Sequence, residues 1–411
     1  MCNISCFVYN RLKIKREEKM KKYLAVLVAL VVIAALLITA CGPPTPTTTA
    51  PPIITVTPTP GQTTTAPQPT TTAPQPTTTK PAAARKIRLS YTMPKGNSIG
   101  GGFEWFATEL TKRSNGKYFI ETYASNTLTG GTTAGALAAV RSGVVDMAGT
   151  SAGTFPSDFP LSLVVSIPTL SINAFSADQY VDAADALLEL LAAVPEVKAE
   201  FKGFQLLNSL MLDAYNIVSK KKEIHLPSDF KGLRVGGSGS KMDIVTQNGG
   251  VRVQMIPPES YLNLDKGVVD AGFLTMAQVS DYKLYEICDY FYLGDFGGGY
   301  YFIMMAPEVW NSLPPADQKL FTDVWKESRK VSGQTSLDTL KKGTDAALAA
   351  NKKVVNPTAT EIAEWEKAAQ IAVTSWINDC KRLGIAQEVI DRTLAKWKEI
   401  RTGHVAKFAP K

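Results

Sequence analysis

A four-residue sequence, Gly-Val-Val-Asp, occurs twice in the chain, at residues 143–146 and 267–270. Each copy follows a strand-like and then a helix-like segment, and each leads into another apolar stretch. Strand, helix, glycine and strand in this order form a βαβ unit in which the glycine ends the helix. Two such units predict two α/β lobes of similar plan, each with a sheet flanked by helices.

The part of the chain with globular composition supports the same division. It runs from residue 86 to about residue 404, about 320 residues, which is more than one compact core usually holds. The predicted units are strand 118–123, helix 134–142 and strand 144–148, then strand 251–253, helix 259–266 and strand 268–274. Around them we expect a strand at 87–91, a helix at 103–113, and a helix from 313 towards 340 with a weak point at Gly333. A further amphipathic helix follows Pro357, where Trp365 and Trp376 are interpreted as packing residues.

The amino-terminal residues have the features of an export signal. Lys21 and Lys22 precede an apolar run that is short for a membrane span, and small residues then lead to Cys41. This pattern resembles a bacterial lipobox, in which the signal is cut before a cysteine that carries lipid. We therefore interpret residues 1–40 as a signal region whose true start is Met20, and Cys41 as the lipidated residue. An uncleaved membrane anchor is the alternative.

Residues 41–85 are rich in Thr, Pro, Ala and Gln, and they contain the repeat TTTAPQP. This composition predicts a disordered or extended linker. The formal charge of +7 falls to about +2 once the seven basic and two acidic residues of positions 1–40 are removed. The basic balance therefore gives no argument for nucleic acid or for an acidic membrane surface.

Catalytic signatures are scarce in the sequence. The two histidines, His225 and His404, have no Cys, Asp or Glu at metal-ligand spacing, so no metal or cofactor is predicted. The run from Gly236 to Lys241 matches neither a phosphate-binding loop nor a nucleophile elbow, and we interpret it as a plain Gly/Ser turn. The composition favours binding over catalysis. Two cysteines lie beyond Cys41, Cys288 and Cys380, and they are either two buried thiols or one disulfide.

One stretch resembles a known family. Residues 226–235, LPSDFKGLRV, resemble the segment PEDLKGLKIRVP of the substrate-binding subunits of TRAP transporters, the DctP-like family. Residues 253–261, VQMIPPESY, are similar to its VPMPFSEVY, and residues 266–270, KGVVD, to its QGVVDG. In the first lobe, residues 123–128, YASNTL, resemble YPSSQLG. The resemblance extends in order over residues 86–400.

The chain also departs from the family pattern. The stretch 214–220 lacks the second arginine of the family's FRQFTNSK, and Phe273 and Leu274 replace the acidic residue and the asparagine of GQENP. Ser151 stands where some sialic-acid-binding members have a glutamate. These changes remove polar partners and add apolar surface. They favour a monocarboxylate with an apolar or aromatic body over a dicarboxylate or a sugar acid.

The resemblance implies a two-lobed periplasmic-binding-protein-like fold (Venus flytrap) that closes on its ligand, joined by crossing strands and a long helix. It implies lobe I at 86–212 plus about 302–345 and lobe II at 213–301 plus about 346–404, with crossings near residues 212, 301 and 346. It implies an extracytoplasmic lipoprotein that captures a small organic acid for TRAP permease subunits, with Arg234 as a fork that holds the carboxylate. The other ligand-binding residues that we expect are Tyr215, Asn216, Thr92, Ser151, Phe155, Glu259, Phe273 and Leu274. A ligand-sensing ectodomain for a signalling receptor and a secreted enzyme are the alternatives.

Overall fold

A computed structural model describes residues 84–131, 134–168, 170–220 and 222–408. The predicted signal region, Cys41 and the predicted linker up to residue 83 lie outside the described residues. No helix within the described ranges has the length and apolar character needed to cross a membrane.

The described residues form strands and helices in alternation. The strands are β1 (Arg85–Tyr91), β2 (Tyr118–Tyr123), β3 (Met147–Ser151), β4 (Gln205–Met211), β5 (Asn216–Ser219), β6 (Arg234–Gly237), β7 (Val251–Gln254), β8 (Ala271–Leu274), β9 (Tyr290–Tyr292), β10 (Tyr300–Met305) and β11 (Lys353–Val355). The helices are α1 (Ser98–Arg113), α2 (Gly135–Arg141), α3 (Ala177–Ala193), α4 (Pro195–Ala199), α5 (Lys241–Gln247), α6 (Ser260–Asp265), α7 (Met276–Asp281), α8 (Pro307–Asn311), α9 (Pro315–Ala349), α10 (Ala359–Ala368), α11 (Gln370–Arg382) and α12 (Gln387–Ala406).

Two separate sheets confirm the predicted pair of lobes. The sheet of lobe I has the strand order β2-β1-β3-β10-β4, and that of lobe II has the order β11-β9-β5-β8-β6-β7. In lobe I, β1 is parallel to β2 and β3, whereas β10 is antiparallel to β3 and β4. In lobe II, β6 is parallel to β7 and β8, whereas β5 is antiparallel to β8 and β9. The order β2-β1-β3 in one sheet therefore corresponds to β7-β6-β8 in the other.

The two Gly-Val-Val-Asp segments occupy equivalent positions in the two lobes. Gly143 and Gly267 end their helices with φ values of 71° and 66°, which favour glycine. The strands that follow begin about three residues later than the sequence predicted. The reason is that the N–H groups of Val145 and Val269 are hydrogen-bonded back to helix carbonyls, at 3.2 Å each. The two valines therefore close their helices before the strands start.

Helix α1 begins five residues earlier than predicted, at Ser98, through three consecutive glycines. The side chain of Asn97 caps it by accepting the N–H of Ile99 at 3.0 Å. A Cβ at Gly102 would lie 1.9 Å from Ser332 Oγ on α9. The glycines are there because the helix packs closely against its neighbour, and this contact is not visible in the local pattern.

Four segments connect the lobes, and the last of them is the junction between α10 and α11. Residues 212–215, the first crossing, join β4 to β5, and residues 293–299, the second crossing, join β9 to β10. The third connection is α9, which buries Trp325 in the core of lobe I and Ala347 in the core of lobe II. The helix is continuous through Gly333, where a Cβ would lie 2.7 Å from Tyr180 Cβ. This glycine is a close-packing position and not the predicted weak point.

The carboxyl-terminal helices correct the predicted lobe boundary. Trp365 on α10 packs in the core of lobe II, but Trp376 and Trp397, on α11 and α12, are buried in the core of lobe I. Trp376 donates its indole N–H to the carbonyl of Pro160 at 2.7 Å, and Trp397 donates to Leu170 at 2.8 Å. Residues 370–406 thus return to lobe I, because their apolar faces complete its core and not that of lobe II. The packing role predicted for Trp365 and Trp376 is confirmed.

The two described cysteines are free thiols. Cys288 lies in the core of lobe II and Cys380 in the core of lobe I, so the two belong to different lobes. Burial raises the pKa of each thiol to about 12, which keeps both protonated at neutral pH. The interpretation as two buried thiols is confirmed over the disulfide.

Candidate functional site

The carboxyl ends of the parallel strands meet at the seam between the lobes. Tyr300 and Tyr301, where the second crossing enters β10, pair with Met211 and Leu210 on β4, and Tyr301 also pairs with Ser151 at the end of β3. On the other side of the seam, the first residue of β5 pairs with Leu274 at the end of β8. Ligands of open α/β sheets bind outside the carboxyl ends of the strands, so the seam is the candidate binding cleft.

Lobe I brings a small polar group to the seam. Thr92 follows β1, and its Oγ1 accepts a hydrogen bond from Asn126 Nδ2 at 3.4 Å. The hydroxyl of Tyr301 is also hydrogen-bonded to Thr92, and burial raises the pKa of that phenol. Asn126 is buried, with a left-handed φ of 53°. A strained non-glycine residue beside a cleft is a frequent mark of a functional position.

Lobe II brings a cation to the seam. Lys241 is the first residue of α5, directly after the Gly/Ser turn that ends β6, and its Nζ lies 3.8 Å from the ring centroid of Tyr215. Tyr215 is held between the two crossings: its N–H donates to Gly297 at 3.2 Å and its carbonyl accepts from Phe296 at 2.8 Å. Burial lowers the pKa of Lys241 to about 8. Among the described residues, neither a carboxylate nor a hydrogen-bond acceptor pairs with this ammonium group.

Arg234 does not reach the cleft, which corrects the prediction of a carboxylate fork there. Its guanidinium binds both oxygens of Asp270, with Nε–Oδ2 at 3.0 Å and Nη2–Oδ1 at 2.8 Å. The hydrogen bonds with Asp270 raise the pKa of Arg234, and those with Arg234 lower the pKa of Asp270. Arg234 opens β6, whereas the seam lies at the other end of this strand, three residues or about 10 Å away.

The internal repeat explains this ion pair. In lobe I, Arg88 binds Asp146 in the same way, with Nε–Oδ2 at 3.0 Å and Nη2–Oδ1 at 2.9 Å. In both lobes the aspartate also accepts the backbone N–H of the arginine, at 2.8 Å for Arg88 and 2.9 Å for Arg234. The aspartate of each Gly-Val-Val-Asp segment therefore joins the amino end of the strand that follows it to the neighbouring parallel strand. This role is structural, and it occurs once in each lobe.

A gapless comparison of the sequences agrees with the geometry. In the family segment PEDLKGLKIRVP the arginine stands four residues after the glycine, and the fourth residue after Gly232 in this chain is Gly236. Arg234 is matched to the lysine of that segment. A Cβ at Gly236 would lie 2.6 Å from both Sδ and Cε of Met255, so the methionine fills the space beside this strand position.

Phe273 and Leu274 point in opposite directions from β8, as strand alternation predicts, but neither faces the cleft. Phe273 is buried on one face of the sheet, with its ring centroid 5.4 Å from that of Phe296 and 5.8 Å from that of Phe230. Leu274 is buried in the cluster on the opposite face. The expectation that one of them lines the cleft is wrong, because this central strand is covered on both faces.

The remaining predicted residues have varied environments. Asn216 is buried, and its Oδ1 accepts the N–H of Asp295 at 3.1 Å, so it ties the second crossing to β5. Phe155 belongs to the buried core of lobe I. Glu259 is exposed in the turn that precedes α6. Of the predicted set, the structure brings Thr92, Ser151, Tyr215 and Asn216 to the seam, and Leu274 ends its strand there with a buried side chain.

Sequence reasoning missed Lys241, Asn126 and Tyr301. Lys241 ends a Gly/Ser run that was interpreted as an ordinary turn, and Asn126 lies within a segment compared with the family only as a whole. A usable signal existed for Lys241. The gapless comparison leaves the family's arginine position empty, and a basic residue follows five positions later.

Two buried carboxyl groups lie on the crossings. Asp213, in the first crossing, accepts a hydrogen bond from the hydroxyl of Tyr180 at 2.9 Å. Burial raises the pKa of Asp213, and it raises the pKa of Asp295, in the second crossing, to about 6. Neither carboxylate forms an ion pair within the described part of the chain. Unlike Lys241, these two groups are acids, and burial makes each of them harder to ionise.

The histidines do not form a metal site. His225 lies between Glu223 and Glu361, with Nε2–Oε2 at 3.0 Å and Nδ1–Oε1 at 2.8 Å. No group of three or more metal-binding side chains is present among the residues that the structure describes. A hollow lined by His225, Ile217 and neighbouring residues has a volume of about 10 Å³, enough for about one water molecule. It lies away from the seam and is too small for an organic acid.

Comparison with known proteins identifies the fold and its family. The sequence profile of the family described as bacterial extracellular solute-binding protein, family 7 (DctP), matches residues 89–379. The chain belongs to this family. Residues 89–379 include the sheets of both lobes and all four connections between them, so the family match covers the whole candidate cleft.

Individual members of family 7 are distant in sequence but similar in structure. A solute-binding protein of Albidiferax ferrireducens is 25% identical over 72% of this chain and 87% of its own length. A monocarboxylate 2-oxoacid-binding periplasmic protein of a Nostoc species is 29% identical over 57% of this chain and 63% of its own length. A TRAP solute-binding protein from Rhodoferax ferrireducens, solved with copurified benzoate, has a TM-score of 0.69 at 21% identity, over 79% of this chain and 99% of that one. The predicted two-lobed α/β fold is thereby confirmed.

Proposed function

We propose that this chain captures a small organic acid outside the cytoplasm and delivers it to the membrane subunits of a TRAP-type transporter. The observation that carries the proposal is the family match over residues 89–379, which covers both lobes and their connections. Family and fold are those of solute-binding proteins, and the candidate cleft contains a cation suited to an anionic ligand. The chemistry at the seam is that of binding, with hydroxyl, amide and ammonium groups but without a nucleophile paired with a base.

We further propose a monocarboxylate with an apolar or aromatic body as the ligand. The relatives support an acid but span several kinds: benzoate in one structure, aromatic acids in a marine metagenome protein, and malonate in another Rhodoferax protein. The cleft of this chain favours one carboxylate, because Lys241 is the cation there that the described residues leave unpaired. The ring of Tyr215, which is only partly buried, provides apolar surface for the body of the ligand. This ring replaces Phe273 and Leu274 as the basis of the proposal.

The proposal includes export and lipid attachment at Cys41. The basic residues at positions 21 and 22, the apolar run and the small residues before Cys41 support it. The linker up to residue 85 would then separate the binding lobes from the membrane surface. In this arrangement the lobes can meet the permease while the lipid keeps the protein at the membrane.

Mass spectrometry of the ligand retained by the purified protein tests the proposal directly. The native protein is denatured, the released small molecules are identified, and a thermal-shift screen of organic acids follows. A true ligand at a hundred times its Kd should stabilise the protein by about 2.7 kcal/mol. We expect aromatic or branched monocarboxylates to stabilise it. Stabilisation by sugar acids or dicarboxylates alone would contradict the ligand class, and failure of every acid would contradict the function.

A further inference from the structure

We propose that Lys241 is the group that holds the ligand's carboxylate in this chain, in place of an arginine on the strand. This inference rests on the proposed function, since it assigns the charge partner of the acid that the protein captures. Its first observation is that β6 lacks an arginine where the family segment has one. Position 236, where the gapless comparison puts the family's arginine, is a glycine, and Met255 occupies the space beside it.

Three other cations that are partly or fully buried already have hydrogen-bond partners within the protein. Arg329 donates its Nε to Asn208 Oδ1 at 2.5 Å and is paired with Asp185. Lys220 donates to the carbonyl of Leu264 at 3.1 Å. Arg401 donates its Nε–H to the carbonyl of Ser171 at 3.1 Å. Among the described residues, Lys241 is the cation at the seam without an anionic or hydrogen-bonding partner.

The charged groups on the elements around α5 are also occupied. Asp243, on α5 itself, pairs with Arg252 of β7 at 3.3 Å and is hydrogen-bonded to Ser375 of α11. On α11, the carboxylate at position 379 pairs with the arginine three residues later at 2.9 Å. Asp229, in the turn before β6, accepts two backbone N–H groups at 2.9 and 3.0 Å. None of these groups neutralises Lys241, and the face of Tyr215 is its nearest favourable contact.

An ammonium group without an anion is costly to remove from water, and a ring face offsets only part of this cost. The lowered pKa of Lys241 is the expected consequence. A carboxylate bound against Nζ would supply the missing partner and raise the pKa of Lys241 again. The body of the acid would then lie near the ring of Tyr215, and the hydroxyl of Thr92 would approach from lobe I.

This assignment gives the ligand affinity a defined pH dependence. The free protein has its Lys241 pKa at about 8, and a bound carboxylate raises it. Affinity for a fully ionised acid should therefore be constant between about pH 6 and pH 7 and should fall by up to about tenfold per unit as pH rises above 8. A carboxylate held by an arginine would show no such fall in this range, because a guanidinium stays protonated.

The test compares Lys241→Met with Arg234→Ala in titration calorimetry. The probes are benzoate, phenylacetate and 4-methyl-2-oxopentanoate, each at pH 6.5 and pH 9, with benzamide as the uncharged counterpart of benzoate. For an acid that binds the wild type, Lys241→Met should lose about 100-fold in affinity, and Arg234→Ala should stay within about threefold. Wild-type affinity should be lower at pH 9, and benzamide should not bind.

Misfolding does not confuse the test, because methionine is unbranched, is only one atom shorter than lysine, and removes an unpaired charge. Lys241→Met should therefore unfold at or above the wild-type temperature, which circular dichroism checks. Equal affinity of Lys241→Met and wild type for an acid overturns the inference and leaves the proposed function standing. A loss confined to Arg234→Ala overturns it as well. Failure of all three acids to bind the wild type overturns this inference together with the proposed ligand class.

Discussion

The carboxyl group of Asp295 should make the protein less stable at neutral pH than at acidic pH. Asp295 lies in the second crossing with a left-handed φ of 47°. Its backbone is fixed, since its N–H donates to Asn216 Oδ1 at 3.1 Å and its carbonyl accepts from Asn173 Nδ2 at 2.9 Å. Its carboxylate has no ion-pair or hydrogen-bond partner among the described residues. Burial alone raises its pKa to about 6.

The size of the effect follows from the shift. A rise from 3.8 in the unfolded chain to about 6 in the folded protein corresponds to about 3 kcal/mol of destabilisation when the group is ionised. Because the folded pKa is the higher one, this cost is absent well below pH 4. It grows between pH 4 and pH 6 and is complete above about pH 7. Residual exposure of the side chain to water makes 3 kcal/mol an upper value.

Asp295→Asn isolates this contribution. Asparagine has the same shape, tolerates a left-handed backbone and carries no charge. In urea unfolding, the variant should exceed the wild type by up to about 3 kcal/mol at pH 7.5 but by about 0.5 kcal/mol at pH 4. Asp178→Asn is the control, since Asp178 is 70% exposed and its pair with Lys330 should matter little at either pH. An equal gain at both pH values, or no gain at pH 7.5, would refute the reasoning.

Three further predictions concern packing, the ion pairs and the anchor. Gly343→Ala should destabilise the protein by about 1–3 kcal/mol in urea unfolding, because its Cβ would lie 1.9 Å from the carbonyl oxygen of Met276, whereas Gly403→Ala, in open space on α12, should stabilise it by about 0.5–1 kcal/mol. Asp270→Asn should lower the midpoint of thermal unfolding, as Asp146→Asn should in the other lobe, and should leave the Kd of an acid unchanged by calorimetry; a changed Kd would return Arg234 to the cleft. Cys41→Ser should release the protein from the membrane fraction or leave an uncleaved precursor, and mature wild-type protein that still carries Met20 would contradict lipid attachment.

The plan of the lobes could be predicted because its signals are local. Gly143 and Gly267 end helices through their own backbone conformation, and the apolar strands around them need no distant partner to be recognised. The repeated context then gave two βαβ units, and the structure contains both. The start of each strand was placed too early because Val145 and Val269 are apolar, like strand residues, but close the preceding helix.

The sequence could not show reliably whether Arg234 reaches the cleft. The answer depends on the alignment of this strand with the family segment, and a shift of two residues changes it. The strand β6 has only four residues, so a shift of two moves a side chain from the end of the strand at the seam towards its other end. Both this chain, at residues 234 and 235, and the family segment contain the pair Arg-Val. Matching these two pairs requires a gap of two residues, and it is this gapped match that equates Arg234 with the family's arginine. The partner that settles the matter, Asp270, was already visible in the repeat but was read only as a marker of the unit.

The burial of Lys241 and the return of the last two helices depend on long-range packing. Tyr215 precedes Lys241 by 26 positions, and only the meeting of the first crossing with α5 places the ring beneath the ammonium group. Similarly, Trp376 and Trp397 have the amphipathic spacing of core residues, but this spacing does not say which core they join. Sequence patterns identify buried faces, whereas the choice of partner comes from the assembled fold.

The location of Lys241 has a consequence for how an acid would act on the two lobes. Lys241 belongs to lobe II, Thr92 and Tyr301 belong to lobe I, and Tyr215 stands on the crossing between them. An acid bound to Lys241 alone would leave the lobes independent, and its carboxylate would stay partly in water. Contact with the hydroxyls of lobe I requires the lobes to approach, and their approach removes water and strengthens the ion pair. The free energy of the ion pair would therefore favour the closed arrangement, since Lys241 gains most where both lobes enclose the acid.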